Sequence, residues 1–209
     1  MVAMTDQQKA RLFDLLIGVG ELVRDGKRDP DEVAALLQSI KDGPPSVAVS
    51  KLLRQIETFQ ATPVVPRKRH TVRSLFDMKS EVVQFAWIDP DFLAEFGDME
   101  IVERNGYEMT SYELLSNSVD GPIRAELPAN HCTDPAALWD LLVEQPRGGN
   151  GHLLANGSAN IFYMPNKDGV TRAVRARRRD GGWGVYAFSV ANRSEWGQGG
   201  RVFSRNSIA

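Results

Sequence analysis

Arg175, Arg177 and Arg179 occupy alternate positions in the run VTRAVRARRR, and alternation is the period of an extended chain. In a strand it sets three guanidinium groups on one side, about 7 Å apart, a spacing that follows a phosphate backbone or a row of carboxylates. A second basic cluster, Arg67-Lys68-Arg69, precedes His70. These six residues are the candidates for contact with RNA, single-stranded DNA or an acidic protein partner, with Arg172 and Arg178 nearby as auxiliaries. Pro63 and Pro66 and the absence of helical period give residues 61–70 the character of a linker, so a solvated basic segment competes with the binding reading there.

Other reactive side chains lead less far. Asn130-His131-Cys132 sets a base beside a nucleophile, and thiolate chemistry needs such a base. Chain neighbours are not thereby partners in space, and a structural cysteine next to a surface histidine is the expectation. The acidic residues are numerous, but their spacing selects no pair for acid–base work, so no catalytic residue is named. His70, His131 and His152 are too dispersed for a local metal motif. Cys132, the single cysteine, leaves neither a disulfide within the chain nor a multi-cysteine zinc site. Gly148-Gly149-Asn150-Gly151 lacks the Lys-Ser/Thr pair and following helix of a phosphate loop. No cofactor or metal is expected.

Charge is unevenly distributed around a net of −2. Residues 1–76 hold 12 basic and 9 acidic side chains, residues 77–144 hold 3 and 15, and residues 145–209 hold 10 and 3. An acidic middle of −12 thus precedes a basic end of +7, and the simplest expectation is that the two meet and neutralise each other. With 42% hydrophobic and 25% charged residues the chain has a globular composition. No apolar run approaches the roughly 20 residues of a membrane span, and the opening MVAMTDQQKARLF lacks the apolar core of a secretory signal, so no membrane partner and a cytoplasmic location are expected.

The elements that must position these groups read as α+β: an N-terminal three-helix unit, then a mixed, mainly antiparallel sheet with one or two packed helices. Thr5 with Gln8 resembles a capping box ahead of the stripe Leu12, Leu15, Leu16, Val19, Leu22 and Val23. Asp29-Pro30 opens a second helix with the face Val33, Leu36, Leu37 and Ile40, whose exposed acids Asp31, Glu32 and Asp42 would repel DNA. Ser46 caps a third with Val49, Leu52, Leu53, Ile56 and Phe59. The expected division is residues 1–60 as the helical unit, 61–70 as linker and 71–209 as the α+β domain. Within that domain Met99–Glu103, Met109–Leu115 and Pro122–Leu127 are expected strands, and the apolar run Val82–Ile88 has β-favouring residues, with helical continuation from Ser74 as its alternative. Helices are expected after Asp89-Pro90, closing at Gly97, and after Asp134-Pro135.

The C-terminal residues 160–209 read as a β-meander: Ile161–Met164, Val170–Arg179 and Trp183–Val190, joined by PNKDG and DGG turns, with a short last strand Arg201–Ser204. ANIFY, GGWGVYAFSV, a following tryptophan and GGRVFSRN resemble a C-terminal module of small uncharacterised bacterial proteins, with a fainter echo in VRDGKRDPDEVAALLQ. That resemblance covers about the last 50 residues and implies a recurring fold unit without an activity.

The loop at Asp180 decides what the arginines face. A three-residue loop pairs Arg179 with Trp183 and puts Tyr186 and Phe188 with Val174 and Ala176, away from the arginines. A two-residue loop puts both aromatics on the arginine face, as on single-stranded nucleic-acid platforms. The first register is preferred because it buries two aromatics, about 1.5–3 kcal/mol each. With no catalytic, metal or nucleotide motif in the chain, the favoured reading is a non-enzymatic binding or structural module acting through protein contacts; the alternatives are an RNA or single-stranded DNA binder using the arginine strand and an enzyme whose site forms only in three dimensions.

Overall fold

The computed structural model describes residues 51–63, 69–101 and 106–205, together with Glu21, Arg24, Asp25 and Val33. The chain divides into two compact units, Met1–Ser50 and Lys51–Ala209. In the first, Glu21, Arg24 and Val33 are helical; otherwise its two expected helices lie outside the described residues.

The expected third helix is instead a strand. Leu53–Ala61 (β1) pairs antiparallel with Tyr107–Leu114 (β5) from Leu53↔Leu114 to Ala61↔Tyr107. A bulge between Gln55 and Glu57 turns the strand over, so Leu53 packs in one core while Phe59 and Ala61 join the other. A bulged strand whose apolar positions fall at 53, 56 and 59 imitates a helical stripe, and the long ladder with β5 overrides that local period.

The remaining elements of the second unit are His70–Thr71 (β2), Val72–Leu75 (α1), Phe85–Ile88 (β3), Pro90–Phe96 (α2), Glu100–Ile101 (β4), Asp120–Glu126 (α3), Pro135–Glu144 (α4), Asn160–Pro165 (β6), Thr171–Arg179 (β7), Gly182–Ser189 (β8) and Arg201–Arg205 (β9). Seven strands form one mixed sheet in the order β1-β5-β9-β6-β7-β8-β3, and β2 pairs with β4. Asp89 and Asp134 accept from the amides of Asp91 and Ala137 as N-caps, and Pro90 and Pro135 follow them at the first helical position, as their spacing requires. The meander β6-β7-β8 is antiparallel throughout, whereas β9 inserts between β5 and β6, parallel to β6.

Pro122–Leu127, expected as a strand, is helical in its larger part as α3. Pro122 falls in the first turn, where its missing N–H costs nothing, and Ile123 and Leu127 at four-residue spacing both pack in the core of the second sheet face.

Both faces of the sheet are used. The first carries Tyr107, Met109, Phe162, Met164, Val174, Trp183, Val185 and Phe203, which pack in one cluster with Phe76, Phe92 and Phe96 and the apolar side of α4. On the second, Leu53, Leu114, Ile161, Tyr163, Ala173 and Val202 pack with Ile123, Leu127 and Trp196. Among the described residues no helix is long and apolar enough to cross a membrane.

Candidate functional site

Arg175, Arg177 and Arg179 stand on one side of β7, opposite Tyr186, Gly184 and Gly182 of β8. The preferred register is therefore overturned. Arg179 pairs with Gly182 and Arg178 with Trp183, leaving Asp180-Gly181 as a two-residue loop with Gly181 at φ +84°. Trp183 enters the first core with no exposure and donates its indole N–H to the Gln145 carbonyl at 2.7 Å. Gly182, at φ +147°, lies against the backbone of β3, where a Cβ would come within 2.5 Å of the Gln84 oxygen. These long-range contacts outweigh burial of Tyr186 and Phe188, which stay half-buried beside the arginines.

The aromatics and the guanidinium groups engage each other directly. The Arg175 guanidinium lies 4.4 Å from the Tyr186 ring centre and 5.1 Å from that of Phe188. Arg179 donates from Nη1 to the Tyr186 hydroxyl at 2.5 Å. Tyr186 and Phe188 stack at 6.3 Å. On the neighbouring edge strand, Trp87 pairs with Gly184 and so shares this side; it is 48% exposed. The space over Gly184, between the positions of Trp87 and Arg177, is taken by the Tyr186 ring and the stem of Arg179. Three aromatics and three arginines thus share the β3–β8–β7 end of the second face.

The acidic middle meets the basic end elsewhere. Glu95 binds Arg172 at 2.5 Å and Asp134 binds Arg205 at 3.1 Å. Among the described residues no carboxylate forms an ion pair with Arg175, Arg177 or Arg179. Arg175 is half-buried, its Nε has no hydrogen-bond partner, and burial, reinforced by the like charges of Arg177 and Arg179, makes its proton easier to lose than usual. Arg172 and Arg178 lie on the opposite side of β7. Of the linker cluster, Arg67 and Lys68 lie outside the described residues, and Arg69 is exposed 3.5 Å from Glu100.

Next to the arginine strand is a constellation that the sequence reading missed. Asp120, only 2% exposed, accepts at Oδ1 from the Tyr163 hydroxyl at 2.8 Å and from the Trp196 indole at 2.7 Å. Burial raises the Asp120 carboxyl above its ordinary value, opposed by those two donors. Trp196 is held by reciprocal backbone bonds to Ser118, which tie the 190–200 loop to the start of α3. Asp120, Arg175, Phe188 and Trp196 line a cavity of about 210 Å³; a second, of about 240 Å³, is lined by Arg175, Arg177, Glu195 and Trp196 among others. Asp120 lies just ahead of the expected strand Pro122–Leu127 and Trp196 just ahead of the last one, 76 positions apart, so no local signal linked them.

His131 is buried rather than on the surface. It shares a 2.9 Å hydrogen bond with the Pro128 carbonyl through Nδ1, accepts from Arg124 at Nε2 over 3.4 Å, and meets the Tyr163 ring edge-on. Burial lowers its proton affinity, opposed by the hydrogen bond to the Pro128 carbonyl. Cys132 packs half-buried against the second core. His152 pairs with Glu57 at 3.0 Å, remote in sequence from His131, and among the described residues no three His, Cys, Asp or Glu side chains are grouped to hold a metal ion. No family model matches this chain, and neither a curated protein nor a solved structure is significantly similar to it.

Proposed function

We propose that this protein is a non-enzymatic binding module that holds single-stranded nucleic acid, RNA or DNA, across the β3–β8–β7 end of the sheet. The supporting observation is the register of β7 on β8, which sets Arg175, Arg177 and Arg179 beside Tyr186, Phe188 and Trp87 on one side. Each base has a π-face that stacks on an aromatic ring, and each phosphate needs a cation within about one nucleotide's reach. Trp87 and Tyr186 supply the rings, and exposed Arg177 and Arg179 supply the cations. A protein partner bearing a row of carboxylates would use the arginines but has no comparable use for three aromatics beside them.

The test compares fluorescence-anisotropy titrations of RNA and single-stranded DNA oligonucleotides over a salt series. Replacing Arg177 and Arg179 with glutamate is expected to weaken binding strongly and to reduce the log–log salt slope by about 1.4, since each single-strand phosphate contact contributes about 0.7. Both side chains are exposed, so thermal unfolding should change little. Tyr186→Ala and Trp87→Ala are each expected to cost about 1–3 kcal/mol of binding. Unchanged oligonucleotide affinity in all three variants would overturn the proposal.

A further inference from the structure

The cavity next to the platform has polar groups of both signs whose bonding capacity is unused. Asp120 spends Oδ1 on Tyr163 and Trp196, while Oδ2 has no hydrogen-bond partner among the described residues, although the side chain is 98% removed from solvent and lines the cavity. Arg175 lines the same cavity with its guanidinium resting on Tyr186 and Phe188 and makes no hydrogen bond or ion pair among the described residues. Two buried or half-buried ionic groups left open towards one space are costly in a fold that has no ligand for them. Asn192, Ser194 and Glu195 complete the polar lining, and Phe188 and Trp196 supply flat apolar walls.

We infer that this cavity selects one base of the bound strand, and that the base is guanine. The inference rests on the nucleic-acid reading and deepens it. Guanine has two donor groups side by side, N1–H and N2–H₂, and two acceptors side by side, O6 and N7. Asp120 Oδ2 and Glu195 receive the donors, Arg175 donates to the acceptors, and the ring plane lies against Phe188 or Trp196. Adenine and cytosine each have a single exocyclic amino donor for two carboxylates, and uracil puts a carbonyl on either side of its one N–H. Continuity supports the placement, because Arg175 and Phe188 belong both to the cavity and to the platform.

The four nucleoside 5′-monophosphates are titrated separately into the full chain by calorimetry, so that the shared phosphate cancels, and oligonucleotides differing at one central base are titrated in parallel. GMP is expected to bind about 5- to 150-fold more tightly than the other three, the range of one good bidentate base contact. Arg175→Gln and Asp120→Asn should erase that preference. Glu195→Gln, at an exposed position, should reduce it without affecting the fold. Trp87→Ala should weaken every oligonucleotide equally and leave GMP unaffected. Equal binding of the four monophosphates, no binding of any, or a guanine preference that survives all three cavity variants would overturn the inference. Oligonucleotides that bind without base preference would refute the cavity reading and leave the platform intact, whereas GMP binding without oligonucleotide binding would refute the platform and, with it, selection within a bound strand.

Discussion

Replacing Asp120 separates two ways in which a buried carboxylate acts on a fold. Asp120→Ala removes the acceptor shared by the Tyr163 hydroxyl and the Trp196 indole, on residues that are 0% and 9% exposed. A buried donor left without a partner costs about 1–3 kcal/mol, so two cost about 2–6 kcal/mol, a large part of the roughly 5–15 kcal/mol that stabilises a domain. The adjoining cavity opens beside Trp196 and admits water, which favours the lower half of that range. Asp120→Asn keeps an oxygen for both donors and removes a charge that burial opposes; at pH 7 it is expected to stay within about 1 kcal/mol of the parent. The pH dependence has a definite sign. Burial raises the folded-state pKa of Asp120, so the folded state binds the proton more tightly than the unfolded chain does. That contribution is complete below the ordinary carboxylate range and is lost as pH rises through the raised value, so Asp120→Asn should compare better with the parent at pH 7 than at pH 4. Urea unfolding followed by tryptophan fluorescence at the two pH values measures all three proteins. An alanine variant less than about 1 kcal/mol below the parent, or an asparagine variant as damaged as the alanine one at pH 7, would refute the reasoning.

Gly182→Ala is expected to displace the edge strand β3, because the new Cβ would lie 2.5–2.7 Å from backbone atoms of Gln84, Phe85 and Ala86 at a φ of +147°. Amide hydrogen exchange should report it as lost protection at the Trp183 N–H, which donates to the Gln84 carbonyl at 2.8 Å. Glu95→Gln should cost about 1 kcal/mol at pH 7. Hydrogen bonds from Asn166 and then Arg172 hold the Glu95 carboxyl below its ordinary value. Its contribution is therefore present above the ordinary carboxylate range and disappears as pH falls through the depressed value, so the stabilities of parent and variant should converge progressively as the medium is made more acidic.

Much of this fold was legible where a signal is complete within a few residues. Asp89-Pro90 with Gly97, and Asp134-Pro135, contain their own caps and stops, so α2 and α4 follow from local chemistry. The meander likewise has its strands and turns in sequence order, and alternation alone puts Arg175, Arg177 and Arg179 on one side of β7. Which side that is, and what shares it, the chain could not reveal locally. Trp183 and Tyr186 differ in parity, and the choice between burying one or the other depends on the Gln145 carbonyl at the end of α4 and on β3 packing against Gly182, both distant in sequence. The same holds for β1, whose bulged ladder to β5 mimicked a helical stripe, and for β9, which leaves the meander to pair between β5 and β6. Asp120, Tyr163 and Trp196 converge only because α3 packs over β6 while the last loop folds back, so the cavity beside the arginines is a product of tertiary structure. Local sequence determines caps, turns and alternation because those interactions span a turn or less; register and side assignment were decided by partners brought together only when the sheet closed.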